Sequence, residues 1–309
     1  MNGGQMLPAT WIFLRTTVLF TATLLLLLSR QPASAQCQQK DTLSFAVSAM
    51  TSPVRTLEHF SRFRNYLARK LGTPICLKQR RTYREINELL ARQEVQMAFT
   101  CTGGYLAGRQ AFGLEILAIP VFHGKKSYRS YIIVRTTSPI RSLVGLRYHR
   151  FAFTDPLSLT GYMYPTARIT ALGFTTDHFF RQVFFTESHD KSVEAVATGI
   201  ADGAAVDSII FDELRAQGDP HAGAVRIIET SPNFGMPPVV VPPGIPRDLK
   251  RRLLKILLAM DRDPDGRVVL AALGMDRFSL SSPALYRSAI LLRKSIGTTT
   301  VYDKIQTVR

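Results

Sequence analysis

The sequence predicts an α/β protein of two lobes, each a mainly parallel sheet flanked by helices, with two crossovers forming a hinge. Two observations support this fold class. Short apolar runs alternate with helix-like periodicity over residues 42–131 and again over residues 151–228. This alternation favours parallel sheets, because parallel strands need a connection that crosses the sheet. Apolar runs at residues 131–134 and 237–241 would carry the chain between the lobes.

The elements of the first lobe follow from hydrophobic spacing. We expect strands at residues 43–49, 75–78, 95–100 and 114–120. Apolar residues at helical spacing mark two helices: Leu57, Phe60, Phe63, Leu67 and Leu71 in the first, and Tyr83, Ile86, Leu89 and Leu90 in the second. A short third helix falls at residues 105–110. Ligands bind at the carboxyl ends of parallel strands, so residues 48–51 and 101–105 should line a cleft.

The lobe boundaries follow from the two crossovers. We expect the first lobe to comprise residues 36–131 and 238–309, and the second lobe residues 132–237. The second lobe repeats the alternation of strand and helix. The helices that begin at Pro246 should pack back onto the first lobe.

The first 35 residues are typical of a cleaved secretory signal. Arg15 precedes an apolar run at residues 18–28, and the small residues Ala33, Ser34 and Ala35 follow it. The run is shorter than the roughly 20 residues that a spanning helix needs, so cleavage is favoured over an uncleaved anchor. We therefore expect a protein that lies outside the cytoplasm and whose mature chain begins near Gln36.

The composition is that of a globular protein with a strong positive charge. Hydrophobic residues make up 46% of the chain, which is ample for packed cores, and the formal net charge is +16. The signal contains two of the arginines and no acidic residue. Such a charge steers anionic ligands or acidic partners. A pI of 10.2 also occurs in nucleic-acid-binding proteins, but a secretory signal and the lack of a nucleic-acid motif argue against that class.

Residues 155–165, Asp-Pro-Leu-Ser-Leu-Thr-Gly-Tyr-Met-Tyr-Pro, join an apolar strand to an apparent helix. The first turn of a helix has unpaired backbone N–H groups and positive potential, so it attracts anions. Ser158 and Thr160 add hydroxyl donors, and Gly161 lets a ligand approach the backbone. The same residue types also cap turns and helices, so the stretch alone fits either role.

Two further segments follow this loop in order. They are residues 188–196, Ser-His-Asp-Lys-Ser-Val-Glu-Ala-Val, and residues 199–207, Gly-Ile-Ala-Asp-Gly-Ala-Ala-Val-Asp. Together with the loop they resemble the PhnD-like phosphate/phosphite/phosphonate periplasmic substrate-binding proteins, the solute receptors of ABC transporters. The resemblance covers nearly all of the chain after about Thr42. It implies a two-lobed type II periplasmic-binding-protein fold and a monomeric receptor, not an enzyme, with no cofactor, no metal, no nucleic acid and a permease as partner.

The resemblance also implies which residues hold the ligand. Ser158, Thr160, Gly161 and His189 would bind a small tetrahedral oxyanion. Ser188 would cap the helix that begins at His189 and leave the imidazole free to donate to the anion. Protonation of that imidazole would strengthen the contact.

Three more residues resemble family positions near the cleft. Asp207, which ends a strand, resembles an acid that accepts a proton from a monoprotonated oxyanion or pairs with an amino group; otherwise it is a turn residue before the next helix. Tyr105 and Tyr128 resemble aromatic residues beside the ligand, and core packing is the alternative for both.

The cysteines suggest one disulfide and one free thiol. Cys37 lies just before the first strand and Cys76 begins the second, so in a parallel pair they share an end and could form a disulfide in an oxidising compartment. Cys101 is left over at the carboxyl end of a strand. It is either a small buried hydrophobe or a soft ligand for a thiophilic species. The latter resembles the arsenite-sensing branch of the family, whose members signal to a histidine kinase that regulates arsenite oxidation.

Two departures from the family pattern leave the identity of the anion open. Leu159 stands where phosphonate receptors commonly have a third hydroxyl, and residues 101–104 replace a Gly-Pro type of turn. Losing one charge-assisted hydrogen bond costs about 1.5–3 kcal/mol. An enzyme with Ser158, His189 and Asp207 as nucleophile, base and orienting acid is disfavoured, because no nucleophile elbow and no metal-ligand spacing is present.

Overall fold

The structure, a computed structural model, describes Met1, residues 42–48 and residues 53–297. The described residues from Leu43 onward belong to one compact unit. Apart from Met1, the expected signal at residues 1–35 lies outside the described residues, as does Cys37 of the expected disulfide with Cys76, so both stay predictions. In the part of the chain that the structure describes, no helix is long and apolar enough to cross a membrane.

The strands and helices of the described residues alternate along most of the chain. The strands are β1 (Leu43–Ser48), β2 (Ile75–Arg80), β3 (Met97–Phe99), β4 (Glu115–Val121), β5 (Ser127–Tyr128), β6 (Ser130–Arg135), β7 (Arg150–Phe153), β8 (Gln182–Phe185), β9 (Gly203–Asp207), β10 (Val225–Thr230), β11 (Phe234–Gly235), β12 (Val239–Val241) and β13 (Arg277–Ser279). The α-helices are α1 (Pro53–Leu71), α2 (Tyr83–Ala91), α3 (Thr102–Phe112), α4 (Tyr164–Ala171), α5 (Thr176–Phe179), α6 (His189–Ala197), α7 (Ser208–Ala216), α8 (Pro220–Gly223), α9 (Arg247–Ala259), α10 (Pro264–Ala272) and α11 (Arg287–Ser295).

Two sheets form the centres of two lobes. The first sheet has the order β13-β4-β12-β3-β1-β2 and the second has the order β10-β6-β9-β7-β8. The chain passes from the first sheet to the second between β4 and β6, and it returns between β10 and β12. The short strands β5 and β11 pair with each other along these two connections. The expected two-lobed α/β fold with two crossovers is therefore confirmed.

The strand directions are more mixed than the expected mainly parallel sheets. β1 is parallel to β2 and β3, and β7 is parallel to β8 and β9, as the alternation predicts. The strands next to the crossovers run the other way: β12 is antiparallel to β3 and β4, and β6 is antiparallel to β9. A strand that enters a lobe directly from the hinge has no crossover helix to reverse its path, so it lies antiparallel to its neighbours.

Aromatic side chains fill the core of the first lobe. Phe45 on β1 packs against Phe63 on α1 with ring centroids 5.4 Å apart, and Phe99 on β3 lies 5.4 Å from Phe63. All three are at most 5% exposed. Burial of each such side chain stabilises the fold by about 1.5–3 kcal/mol. This packing fixes the carboxyl ends of β1 and β3, from which the cleft residues extend.

The two lobes contact each other directly at the carboxyl ends of their parallel strands. The guanidinium of Arg81, after β2, pairs with the carboxylate of Glu187, after β8, at 2.6 Å. Deeper in, Gly103 at the start of α3 faces the loop after β7: a Cβ on this glycine would lie 2.1 Å from the carbonyl oxygen of Leu157. The lobes thus meet too closely for any side chain at position 103.

Candidate ligand-binding cleft

The loop after β7 begins with Asp155, a buried carboxylate that links the two lobes. Its Oδ1 accepts a hydrogen bond from the backbone N–H of Leu157 at 2.7 Å. Its Oδ2 accepts one from the backbone N–H of Tyr83, the first residue of α2 in the other lobe, at 3.1 Å. Burial raises the pKa of Asp155 to about 6. The hydrogen bond to Tyr83 places the carboxyl at the start of α2, where the helix dipole favours an anion.

Ser158 forms the cap that begins the next helical segment. Its Oγ accepts the backbone N–H of Gly161 at 2.9 Å, which leaves its hydroxyl hydrogen available for a ligand. The segment that follows, Leu159–Met163, is a π-helical turn that runs into α4. A Cβ on Gly161 would lie 2.4 Å from Oγ1 of Thr154, so the structure gives this glycine a packing role.

Thr160 lies within this π-helical turn and is 1% exposed. Its carbonyl oxygen accepts a hydrogen bond from Oγ of Ser130 at 2.7 Å. No described residue forms a hydrogen bond with its hydroxyl. Leu159, by contrast, is buried in the hydrophobic core. Ser158 and Thr160 therefore keep hydroxyl hydrogens for a ligand, while Leu159 supplies none.

His189 begins α6 and is held by hydrogen bonds to its Nδ1 atom. The backbone N–H of Asp207 donates to Nδ1 at 3.1 Å, and Oγ1 of Thr154 lies 3.1 Å from the same atom. Because an N–H can only donate, Nδ1 is the acceptor and the ring hydrogen is on Nε2. Burial lowers the pKa of His189 to about 3. His189 is thus a neutral N–H donor, and the expected strengthening by protonation does not apply near neutral pH.

Hydroxyl groups around His189 form a chain that keeps it in place. Thr154 Oγ1 lies 3.3 Å from Ser192 Oγ, and Ser192 Oγ lies 2.6 Å from Thr186 Oγ1. Ser188 occupies the cap position of α6, but its side chain forms no cap hydrogen bond and its buried Oγ has no partner among the described residues. The expected cap is therefore not formed.

Asp207 caps a helix and is buried beside His189. It ends β9, and its Oδ1 accepts the backbone N–H groups of Ile209 at 2.6 Å and Ile210 at 3.4 Å, so it caps α7. It is also 2% exposed and adjoins His189 through its backbone. Burial raises the pKa of Asp207 to about 7. Near neutral pH this carboxyl can either accept a hydrogen bond or donate one.

Cys101 caps α3 and lies against the loop of the other lobe. Its Sγ accepts the backbone N–H of Gly104 at 3.1 Å and donates to the carbonyl oxygen of Leu157 at 3.3 Å. It is a free cysteine, 4% exposed, and burial raises the pKa of its thiol. The structure thus shows a protonated thiol that joins the two lobes.

The two predicted tyrosines lie in different surroundings. Tyr128 is 3% exposed, and the nearby Asp207 and Cys101 add to the burial that raises the pKa of its phenol. Tyr105 packs edge-on against the ring of Tyr286 at 5.3 Å. The structure therefore places Tyr128 among the cleft residues and Tyr105 in the adjoining core.

Sequence reasoning missed two buried hydroxyls, those of Tyr83 and Thr100. Both residues are at most 1% exposed, and neither hydroxyl has a partner among the described residues. An unpaired buried hydroxyl costs about 1–3 kcal/mol, so these two are candidate ligand contacts. For Tyr83 a signal was present: Thr82 and Glu85 form a capping box, whose spacing marks a helix start at the carboxyl end of β2.

The cleft residues offer neutral donors and buried carboxyls. The donors are hydroxyls, a thiol and an imidazole N–H, and the carboxyls of Asp155 and Asp207 have raised pKa values. The described residues contain no cluster of His, Cys, Asp and Glu arranged to hold a metal ion. Such a set can bind an anion through hydrogen bonds and can also accept a hydrogen that the ligand carries.

Comparisons with known proteins identify the family of this chain. A family described as "ABC transporter, phosphonate, periplasmic substrate-binding protein" matches residues 45–286. The phosphonates-binding periplasmic protein of Escherichia coli (strain K12) is 24% identical over 271 residues, which are 85% of this chain and 79% of the relative.

Solved structures show the same fold. The binding protein component of an ABC phosphonate transporter from Pseudomonas aeruginosa superposes with a TM-score of 0.77 at 19% identity, covering 87% of this chain and 94% of that one. PhnD1 from Prochlorococcus marinus, in complex with methylphosphonate, gives a TM-score of 0.74 at 15% identity, covering 84% and 99%. The fold is the two-lobed type II periplasmic-binding-protein fold, and members of the matched family are receptors, not enzymes. This chain belongs to the family of periplasmic substrate-binding proteins of phosphonate ABC transporters.

Proposed function

We propose that this protein captures a small tetrahedral oxyanion of the phosphate, phosphite and phosphonate class between its lobes and delivers it to an ABC transporter permease. The observation that carries the proposal is the set of free donors at strand ends of both lobes. Tyr83 and Thr100 have buried hydroxyls without partners, and Thr160 and His189 keep a hydroxyl and an N–H for a ligand. The names of the relatives, which bind phosphonates, support the same class.

The carboxyl of Asp207 would select ligands that carry a hydrogen. Its pKa of about 7 means that it is partly ionised near neutral pH. An ionised carboxylate next to an anion is tolerated only if a hydrogen lies between them, from a P–OH group or from an amino group on the ligand. Sulfate has no such hydrogen near neutral pH, so it can bind beside Asp207 only while Asp207 itself is protonated, whereas a ligand that carries a hydrogen can bind beside either form. We therefore expect monoprotonated phosphorus oxyanions or aminophosphonates to bind more tightly than sulfate.

Closure of the lobes would complete the site. Ser158, Thr160, His189 and Asp207 belong to the proposed second lobe, residues 132–237, while Tyr83 and Thr100 belong to the proposed first lobe, residues 36–131 and 238–309. A ligand that bonds to both lobes favours the closed state by its difference in affinity for the two states. The proposed receptor is a periplasmic monomer that uses no cofactor.

The arsenite-sensing alternative depends on Cys101 and is less well supported. The thiolate is the form that binds soft centres, and burial raises the pKa of this thiol. The thiol also already donates to the carbonyl oxygen of Leu157. An arsenite ligand would have to break this contact between the lobes. The geometry at Cys101 therefore favours a structural role for this thiol. A sensor kinase, the partner in the arsenite-sensing alternative, is accordingly less favoured than a permease.

A thermal-shift screen tests the proposal, because a ligand that binds only the folded state raises the melting temperature. The panel contains phosphate, phosphite, methylphosphonate, an aminophosphonate, sulfate and arsenite. We expect stabilisation by at least one phosphorus oxyanion in the wild type and equally in Cys101→Ser. A response to arsenite alone, lost in Cys101→Ser, would replace the transport proposal with the sensing one.

A further inference from the structure

The strand ends of the second sheet that lie opposite the cleft are rich in arginine. In the strand register Arg135 pairs with Val225, and Arg150 pairs with Gln182, so these four positions lie at one end of the sheet. Thr154 follows β7 and Asp207 ends β9, both at the opposite end of the sheet, where the cleft lies. Arg181 directly precedes Gln182. We call this end of the second lobe the distal pole.

The connection between β6 and β7, residues 136–149, runs across the distal pole and adds more basic and aromatic side chains. Arg141 and Arg147 lie on it and are exposed. The guanidinium of Arg147 lies 4.7 Å from the ring centroid of Tyr148 and 4.5 Å from that of Phe174. This stacking holds one cation beside an aromatic ring at the surface.

The positive charge of the distal pole is largely uncompensated. Arg150 pairs with Asp202 at 2.7 Å. In contrast, four other arginines of the pole are exposed, and none of them forms an ion pair within the described residues: Arg135, Arg141, Arg147 and Arg181.

Arg226, near the start of β10, lies in the same basic environment. Its guanidinium donates to the carbonyl oxygens of Ser138 at 2.8 Å and Ile140 at 2.6 Å, and its buried Nε has no partner among the described residues. Burial, and then the nearby charge of Arg141, lower the pKa of Arg226. Like charges gathered without counter-ions favour an anionic partner.

Apolar side chains project among these cations. Tyr148 is 63% exposed, Ile200 is 58% exposed and Val144 is 56% exposed. Ile200 follows Gly199, and the guanidinium of Arg135 lies close to this glycine: a Cβ on Gly199 would be 3.1 Å from it. Scattered apolar and aromatic side chains among arginines are typical of surfaces that enter the headgroup region of a bilayer, where apolar parts insert and cations meet phosphate.

We propose that the distal pole docks on a membrane surface that carries anionic phospholipid headgroups. A membrane fits better than an acidic protein, because the exposed apolar residues are scattered between cations and do not form one continuous patch. The pole is opposite the cleft. A protein docked in this way keeps the binding site accessible to solute beside the membrane.

Vesicle co-sedimentation tests the proposal with the purified protein. The vesicles are phosphatidylglycerol mixed with phosphatidylcholine, and pure phosphatidylcholine. The pole variant carries three substitutions, Arg135→Gln, Arg141→Gln and Arg147→Gln. The control variant loses three exposed charges of the other lobe that form no ion pair within the described residues, Arg62→Gln, Arg247→Gln and Lys255→Gln. The two variants have the same net charge.

We expect the wild type to bind the anionic vesicles and the pole variant to bind them roughly tenfold or more weakly, while the control variant stays near wild type. Addition of about 1 M salt should release the wild type. An equal loss in both variants would show a general charge effect and overturn the proposal, as would wild-type protein that ignores anionic vesicles. An unchanged melting temperature in the pole variant excludes misfolding as the cause of its loss.

Discussion

The backbone N–H of Asp207 donates a hydrogen bond to Nδ1 of His189 across 3.1 Å. This bond fixes the imidazole as a donor through Nε2 and places it beside a carboxyl whose pKa is about 7. Burial keeps the ring neutral, since it lowers the pKa of His189 to about 3. A neutral donor next to a carboxyl of raised pKa can hold an oxyanion and the hydrogen that it carries.

Replacing His189 should weaken oxyanion binding without changing how binding depends on pH. We expect His189→Ala to lose about ten- to a hundredfold in affinity, because a hydrogen bond to a charged group contributes about 1.5–3 kcal/mol. The matched control is His178→Ala, which removes an exposed histidine of α5. Calorimetry from pH 5 to 8 measures both. A loss of wild-type affinity that tracks titration of a histidine would contradict the neutral tautomer.

Thr160→Val should weaken oxyanion binding and leave the fold intact. Valine has nearly the shape of threonine but no hydroxyl, and the hydrogen bond of position 160 to Ser130 is made by the backbone carbonyl. We expect about a tenfold loss or more in Thr160→Val. Thr160→Ser retains the hydroxyl and should stay close to wild type. Equal affinities in the two variants would remove Thr160 from the site. Ser158→Ala is a less clean test, since Ser158 also caps the π-helical turn.

Gly103→Ala should hinder closure of the lobes. A Cβ at this position would lie 2.1 Å from the carbonyl oxygen of Leu157, a contact that the two lobes can relieve only by moving apart. The control is Gly223→Ala, where a Cβ meets nothing within 4 Å. We expect Gly103→Ala to show a larger radius of gyration by small-angle scattering with ligand and a weaker affinity. Wild-type compaction in this variant would show that closure does not require the close approach.

The raised pKa of Asp207 should make stability fall as pH rises. Between the ordinary value of 3.8 and about 7 the folded protein holds a proton that the unfolded chain has lost. Raising the pH through this window therefore lowers the free energy of unfolding. Asp207→Asn removes this titration and can still cap α7, because asparagine is a good N-cap. The control is Asp177→Asn, at an exposed carboxylate.

Melting temperatures from about pH 4 to pH 8 check this expectation. The melting temperature of the wild type should fall relative to that of Asp207→Asn as the pH rises, by an amount equivalent to a few kcal/mol at most. Asp177→Asn should parallel the wild type. Parallel curves for all three proteins would contradict the raised pKa of Asp207, because its carboxyl would then already be ionised near pH 4.

Much of the fold follows from the hydrophobic pattern, since strands and helices with buried faces have distinct periods. β1 was expected at residues 43–49 and lies at Leu43–Ser48, and the helix expected from Tyr83 begins there as α2. The antiparallel β12 could not be predicted from periodicity, because a buried strand looks the same in either direction. The π-helical turn after Ser158 was also missed, since its hydrogen-bond register depends on packing around Thr154.

The candidate site could be predicted in part. The loop at Ser158 and Thr160 and the helix start at His189 carry local signals, namely hydroxyls, a glycine and unpaired helix N–H groups. Tyr83 was overlooked because a tyrosine at helical spacing looks like a core residue, and only the structure shows that its hydroxyl lacks a partner. The contact between Cys101 and Leu157 joins residues of different lobes, so no local pattern could reveal it.

The most direct test of the proposed function is a crystal structure with the oxyanion that stabilises the protein most. We predict that the anion lies between the lobes, with its oxygens about 3 Å from Oγ1 of Thr160 and Nε2 of His189. The carboxyl of Asp207 should share a hydrogen with the ligand. An oxyanion bound away from Thr160 and His189 would contradict the account, for example one in the groove of about 640 Å³ whose lining includes Tyr131 and Asp212.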